Sequence, residues 1–155
     1  MTFDDIDKKI LNILQEEGRI TNTKLAKEIG ISPPSMLERV KRLENSGVID
    51  KFVALIDKEK TGFGLLVLIM VSLSLHQIAS LENVKNSLIE LDEVLECYQV
   101  SGDVDFLLKV ATKDMNSYKD FVNNKLSGID GIQNIKTSFV LDTMKFTTKI
   151  KMPTE

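Results

Sequence analysis

The sequence predicts an α+β chain in two parts, a head of three helices followed by a sheet partly covered by helices. Three observations predict it. Within residues 20–49 two amphipathic helical patterns meet at Gly30, the residue best suited to end a helix in a left-handed conformation. The run LLVLIMV, Leu65–Val71, is apolar at seven consecutive positions, as in a strand covered on both faces. From there on, strand-like and helix-like stretches alternate in the order βαββαβ.

Taken in order, Asp4 or Asp5 can cap a first helix with the inward stripe Ile6, Ile10, Ile13 and Leu14, ending at Gly18. Leu25, Ala26 and Ile29 mark a second, stopped by Gly30. Ser32 can cap a third, with Pro33 and Pro34 in its first turn, where a missing N–H costs little. Met36, Val40 and Leu43 recur at buried-stripe spacing, which leaves Pro34, Ser35, Glu38, Lys41 and Arg42 on the other side. Gly47 ends that helix, and the short connection containing Gly30 makes the pair a helix-turn-helix. The β-formers of Ile49–Ile56, IDKFVALI, read as a strand of a small wing, so residues 1–56 are expected to form a winged helix-turn-helix. Residues 57–64, DKEKTGFG, are polar and glycine-bearing and are the expected linker.

Residues 65–155 are expected to form the second domain. Leu65–Leu75 is a strand whose second apolar face calls for a covering sheet from another subunit. Leu81, Val84, Leu88 and Leu91 mark a helix, and Val94–Val100 and Phe106–Ala111 are strands on either side of SGDVD. A helix through Met115, Tyr118, Val122 and Leu126 and a strand over Ile132–Leu141 complete a ferredoxin-like βαββαβ unit. Beyond it, Thr143–Met152 alternates between apolar Met144, Phe146, Ile150 and Met152 and cationic Lys145, Lys149 and Lys151. An amphipathic strand of that kind needs a partner edge, in this chain or a neighbouring subunit.

Composition narrows the function classes. With 155 residues and 43% hydrophobic content the chain is of ordinary globular type. No apolar run approaches the ~20 residues of a membrane span, and the start MTFDDIDKK lacks the layout of a signal peptide, which points to the cytoplasm. Cys97 is the single cysteine and His76, expected at the surface, the single histidine. Neither a disulfide, a metal site nor a catalytic dyad follows from them, and no cofactor is expected. The net charge is −3, yet Arg19–Lys51 holds seven basic and four acidic residues, a local balance of +3. A basic face on an acidic body is compatible with nucleic acid.

In a helix-turn-helix the second helix enters the major groove with its amino-terminal half at the base edges. That makes Ser32, Pro34, Ser35, Glu38, Arg39, Lys41 and Arg42 the candidate DNA contacts. Arg39 or Arg42 can pair with guanine or phosphate, Glu38 can accept from a cytosine amino group, and Ser32 and Ser35 can donate to phosphates. Arg39 lies nearest the core stripe, so it can instead hold Glu44 or an acid of the first helix. The turn Ser101, Gly102, Asp103, Val104, Asp105 reads either as a tight hairpin or as a ligand site. In the second case its carboxylates accept from an ammonium group and its N–H groups meet a carboxylate. Asp103 and Asp105 have no supporting nucleophile or metal set, so an enzyme is not expected.

DKKILNILQEEGRI, LAKEIGIS, RVKRLENSGVI and FVALID, followed by SGDVDFLLKV and TSFVL, resemble in order and spacing the Lrp/AsnC family of leucine-responsive and feast/famine transcriptional regulators. The resemblance covers nearly the whole chain. It implies a regulator of double-stranded DNA, homodimeric through its second domain and commonly octameric, that binds a small effector, usually an amino acid, between subunits around Gly102, Asp103, Val104 and Asp105. Thr137 and Ser138 would add hydroxyls from the neighbouring subunit. The family often has an aromatic residue where Val104 stands and a basic one where Glu38 stands; these departures leave effector and operator open. The alternative is a ligand-independent architectural DNA-binding protein.

Overall fold

Local cap chemistry builds the first three helices. The Asp4 carboxylate accepts from the Asp7 N–H at 2.8 Å and starts α1, Asp5–Leu14, which ends in a turn around Gln15, a few residues before Gly18. Thr21 caps α2, Asn22–Ile29, and Gly30 closes it at φ 85°, where a side chain would be strained. Ser32 caps α3, Pro33–Asn45, with the prolines at its first two positions. The computed structural model describes residues 3–74 and 81–153. Leu75 and His76, the end of the expected first strand and its surface histidine, lie outside the described residues.

The chain divides into two units, Met1–Leu55 together with Lys145–Glu155, and Ile56–Met144. In the first, Ile10, Leu25, Ala26, Met36, Val40 and Leu43 form a buried core beneath the three helices. Val48, Ile49 and Met152 pack against it, so the carboxy-terminal tail belongs to the head and not, as expected, to the second domain.

Neither Ile49–Ile56 nor Thr143–Met152, the two further strands the sequence predicts, forms a ladder among the described residues. Among the described residues no edge pairs with residues 49–56, and the other extended segment of the unit is hydrogen-bonded to the side chains of Asn12 and Gln15. Phe52, Val53, Leu55, Met144 and Phe146 remain exposed. The expected linker is a capped turn of the second unit: Asp57 Oδ1 accepts from the N–H groups of Glu59 and Lys60, and Phe63 N–H bonds Lys58 C=O at 2.8 Å.

The second unit is an antiparallel sheet of β1 (Leu65–Leu73), β2 (Val94–Gln99), β3 (Phe106–Thr112) and β4 (Ile132–Phe139), in the order β2-β3-β1-β4. With α4 (Leu81–Ile89) and α5 (Met115–Asn124) this is the ferredoxin-like arrangement that the order of elements predicts. Val67, Ile69 and Val71 pair with Val110, Leu108 and Phe106 and are buried with Val84, Leu88 and Phe121 of the helices. Strand alternation turns Leu66, Leu68, Met70 and Leu107 to the opposite face, where they stay half-buried. That face also carries Glu96, which accepts from Lys109 Nζ at 2.8 Å and Tyr98 OH at 2.9 Å. Those bonds, the lysine's first, hold the Glu96 carboxyl below its ordinary pKa.

Candidate nucleic-acid interface and effector turn

Helix α3 is held by three buried side chains, Met36, Val40 and Leu43, and everything it presents lies opposite them. Ser35, Glu38, Arg39, Lys41, Arg42, Asn45 and Ser46 line one shallow open groove along that side. Ser32 and Pro34 are exposed at its amino-terminal end. The Ser32 hydroxyl accepts from the Ser35 N–H at 3.4 Å as the cap, which leaves its own proton to give. Of the residues predicted for this site, all stand on or beside the outer face, but Arg39 faces inward as well.

Arg39 is the clearest case where two readings were open and geometry separates them. Its Nη1 donates to Asp4 Oδ2 at 2.7 Å and to Asp7 Oδ1 at 2.8 Å, and its side chain is only 22% exposed. It holds acids of the first helix, not Glu44. The bond that Arg39 donates to Asp4 raises the Arg39 pKa above its ordinary value, and the Asp7 N–H and then Arg39 hold the Asp4 carboxyl below its own. Asp7 itself is 2% exposed, and its second partner is Arg42, whose Nη2 donates to both of its oxygens. A buried carboxylate needs such pairing, since unpaired burial of a charge is prohibitive.

Arg42 differs from Arg39 in that 52% of its side chain stays exposed. One end of its guanidinium is fixed on Asp7, among the described residues its Nη1 and Nε carry no hydrogen bond, and the residue lines the groove. A guanidinium pre-set in this way can approach a phosphate or a guanine edge with little ordering cost. The sequence offers an acid of the first helix as a partner for Arg39 but does not single out Asp4 and Asp7, nor the sharing of Asp7 with Arg42. The signal was present in two acids at the start of α1 and two arginines three residues apart on α3, but only a folded contact matches them.

The expected effector turn lies between β2 and β3. Gly102 has φ 126°, which suits the hairpin reading, and Ser101, Gly102 and Asp103 are exposed. Asp105 is committed to the framework: its N–H bonds Val71 C=O at 2.9 Å, its C=O accepts from Val100 N–H, and its Oδ2 accepts from Leu73 N–H at 2.7 Å. Val104 is half-buried beside it. Thr137 pairs with Ile69 on the helix-covered face, and its hydroxyl meets the Tyr118 OH at 2.6 Å. Ser138 pairs with Leu68 and lies on the opposite, open face. Within one chain β1 runs between β4 and the strand that follows the turn, so Thr137 and Ser138 are not brought to the turn. Among the described residues no three metal-ligating side chains cluster, and no helix is long and apolar enough to cross a membrane.

A helix-turn-helix head joined to a ferredoxin-like unit defines a class of protein, DNA-binding transcriptional regulators with a ligand-binding second domain. Residues 3–50 match the family model described as winged helix-turn-helix DNA-binding, and residues 66–150 that of the Lrp/AsnC ligand binding domain. The chain belongs to the Lrp/AsnC family of transcriptional regulators and is not an enzyme. It is 36% identical over 152 residues to the leucine-responsive regulatory protein of Escherichia coli strain K12, covering 98% of this chain and 93% of that one. A transcriptional regulator of Neisseria meningitidis, solved as its L-methionine complex, superposes with a TM-score of 0.92 at 37% identity, covering 98% and 97% of the two chains. A feast or famine regulatory protein from M. tuberculosis, also solved with L-methionine, gives a TM-score of 0.87 at 25% identity, covering 97% and 100%.

Proposed function

We propose that this regulator reads double-stranded DNA with the outer face of α3 and that a small amino acid bound to the second unit changes its affinity for the operator. The observation that carries the reading is the groove in which Ser35, Glu38, Lys41 and Arg42 share one face of a helix anchored by its other side. Ser32 and Pro34 meet the DNA backbone at the helix start. Arg42 offers its outward N–H groups to guanine or phosphate, Lys41 meets phosphate, and Glu38 accepts from a cytosine amino group. Arg39 fixes α3 on α1 and reaches DNA at most through that framing role.

The effector reading rests on relatives held with L-methionine. Exposed Asp103 takes the ammonium group and the N–H groups of the Gly102 turn take the carboxylate, with Asp105 as the scaffold beneath. Ser138, on the open face, is the better placed of the two hydroxyls to serve a neighbouring subunit. The half-buried apolar stripe Leu66, Leu68, Met70 and Leu107 supports a homodimer in which a second sheet covers it, with dimers assembling further, to an octamer in the family's usual manner. Its place of action is the cytoplasm. Functionally the chain divides into a DNA-reading part, residues 1–55 with the tail from residue 145, and an effector and assembly part, residues 56–144, which opens with the turn 57–64.

The test is a calorimetric titration of the full chain with each of the twenty amino acids, alongside operator affinity measured on a duplex selected from a random library. Heat with at least one amino acid, and a shifted affinity, is expected. No heat and no shift with any would leave the ligand-independent architectural reading.

A further inference from the structure

Helix α1 carries a surface that reads an extended peptide backbone, and residues 150–152 occupy it. Asn12 bonds Met152 twice: its Nδ2 donates to the Met152 C=O at 2.9 Å and its Oδ1 accepts from the Met152 N–H at 3.0 Å. Gln15 does the same to Ile150, with Nε2 donating to the C=O at 3.0 Å and Oε1 accepting from the N–H at 2.7 Å. Each amide thus imitates the edge of a β-strand. Residues i and i+2 of a strand turn their N–H and C=O to the same side, which is why alternate tail residues are the ones held. Three helical residues rise about 4.5 Å, whereas two strand residues span about 6.6 Å. The longer side chain of Gln15 makes up much of that difference. Lys149 adds an ion pair with Glu16, and Met152 packs on the head's core. Ile150 is 70% exposed, so its side chain does not hold the tail in place; its backbone does.

The consequence is one of connectivity. The chain passes from the first unit to the second between Leu55 and Ile56, and back between Met144 and Lys145. We infer that the Asn12–Gln15 ledge is a docking site for the carboxy-terminal tail and that the docked tail is a second tether, through which the effector-binding unit controls the orientation of the DNA-reading head. Four partly exposed hydrogen bonds gain little more than the ordering of a few residues costs, which makes docking a reversible, low-stability contact. Such a contact can serve as a two-state element that an effector biases. Heads held by two tethers lose less freedom when they engage spaced half-sites together than heads held by one. This deepens the regulatory reading above and rests on its homodimer, whose heads would bind one duplex together.

The experiment uses the full chain, Asn12→Ala/Gln15→Ala and, independently, Ile150→Pro, which removes the N–H that Gln15 holds without touching α1. Three quantities are measured: hydrogen exchange at Ile150 and Met152, affinity for a paired-site and a single-site duplex selected with the wild type, and the effect of L-methionine on paired-site affinity. Exchange at both amides is expected to be slowed at least tenfold in the wild type and to reach unstructured rates in the double variant; in Ile150→Pro only Met152 reports. Paired-site affinity should drop fivefold or more in both variants, with single-site affinity unchanged within twofold. Any L-methionine effect should shrink towards none, with L-methionine binding itself retained. Unprotected amides in the wild type, or unchanged paired-site affinity in both variants, would overturn the tether. A wild type that ignores L-methionine counts against L-methionine as the effector, and the tether is then judged on the other two measurements.

Discussion

Asp7 and Arg42 meet across the head at 2.7 and 2.8 Å, one arginine nitrogen against both oxygens of a carboxylate that solvent hardly reaches. The contact ties the start of α1 to the outer face of α3. It makes the stability of the head and the presentation of the half-exposed Arg42 on the outer face of α3 two readouts of one interaction.

Asp7→Asn keeps the volume but removes the charge and one of the two acceptor oxygens, so Arg39 and Arg42 lose the charge assistance of their shared partner. Urea unfolding should show a loss of about 1–3 kcal/mol in the head. DNA affinity should fall as well, because Arg42 must then be ordered on binding.

Arg42→Ala should cost about 1–3 kcal/mol of specific binding if the outward edge reads a base. Lys41→Ala should weaken binding to all sequences alike and lower the salt slope by about one. Titrations at several salt concentrations separate the two; equal behaviour would mean that Arg42 also meets only phosphate.

Glu38→Gln exchanges an acceptor for a group that pairs with adenine. Selection from randomised duplexes should move the preferred base at one position of each half-site, by about 1–3 kcal/mol. An unchanged preferred sequence would remove Glu38 from base reading.

Asp105→Asn weakens the acceptor that holds the Leu73 N–H and should destabilise the second unit by about 1–2 kcal/mol. Asp103→Asn should leave stability within about 0.5 kcal/mol, since its side chain is exposed, and should abolish amino-acid binding. Loss of binding only in the Asp105 variant would reverse the roles assigned to the two aspartates.

Acid should loosen the head. The Asp4 carboxyl is held below its ordinary value by the Asp7 N–H and then by Arg39, so its contribution is complete above about pH 4 and is lost as the pH falls through the depressed value. Thermal unfolding followed below about pH 4 should fall less steeply in Asp4→Asn than in the wild type. Parallel curves would show that Asp4 carries none of the acid limb.

Much of the fold was legible because its causes are local. Asp4, Ser32, Pro33, Gly30 and Gly47 act within a few residues of themselves, and each stands at the cap or stop that its chemistry predicts. Alternation and helical spacing likewise located the four strands to within about two residues and placed the outer face of α3. The strand expected over Ile49–Ile56 forms no ladder among the described residues of this unit: IDKFVALI has strand propensity, but a strand exists only where another edge accepts it.

The sequence by itself determined the helix-turn-helix, the ferredoxin-like order and the set of residues presented by α3, since these follow from period, caps and turns. Only the tertiary structure decided what those residues are joined to. It turned Arg39 inward to Asp4 and Asp7, left Arg42 half outside, placed Asp105 beneath the turn, and laid Ile150 and Met152 on Gln15 and Asn12. Those partners lie 32 to 140 positions apart along the chain, a separation at which no local pattern pairs one residue with another and only the packing of the core brings them within hydrogen-bond reach.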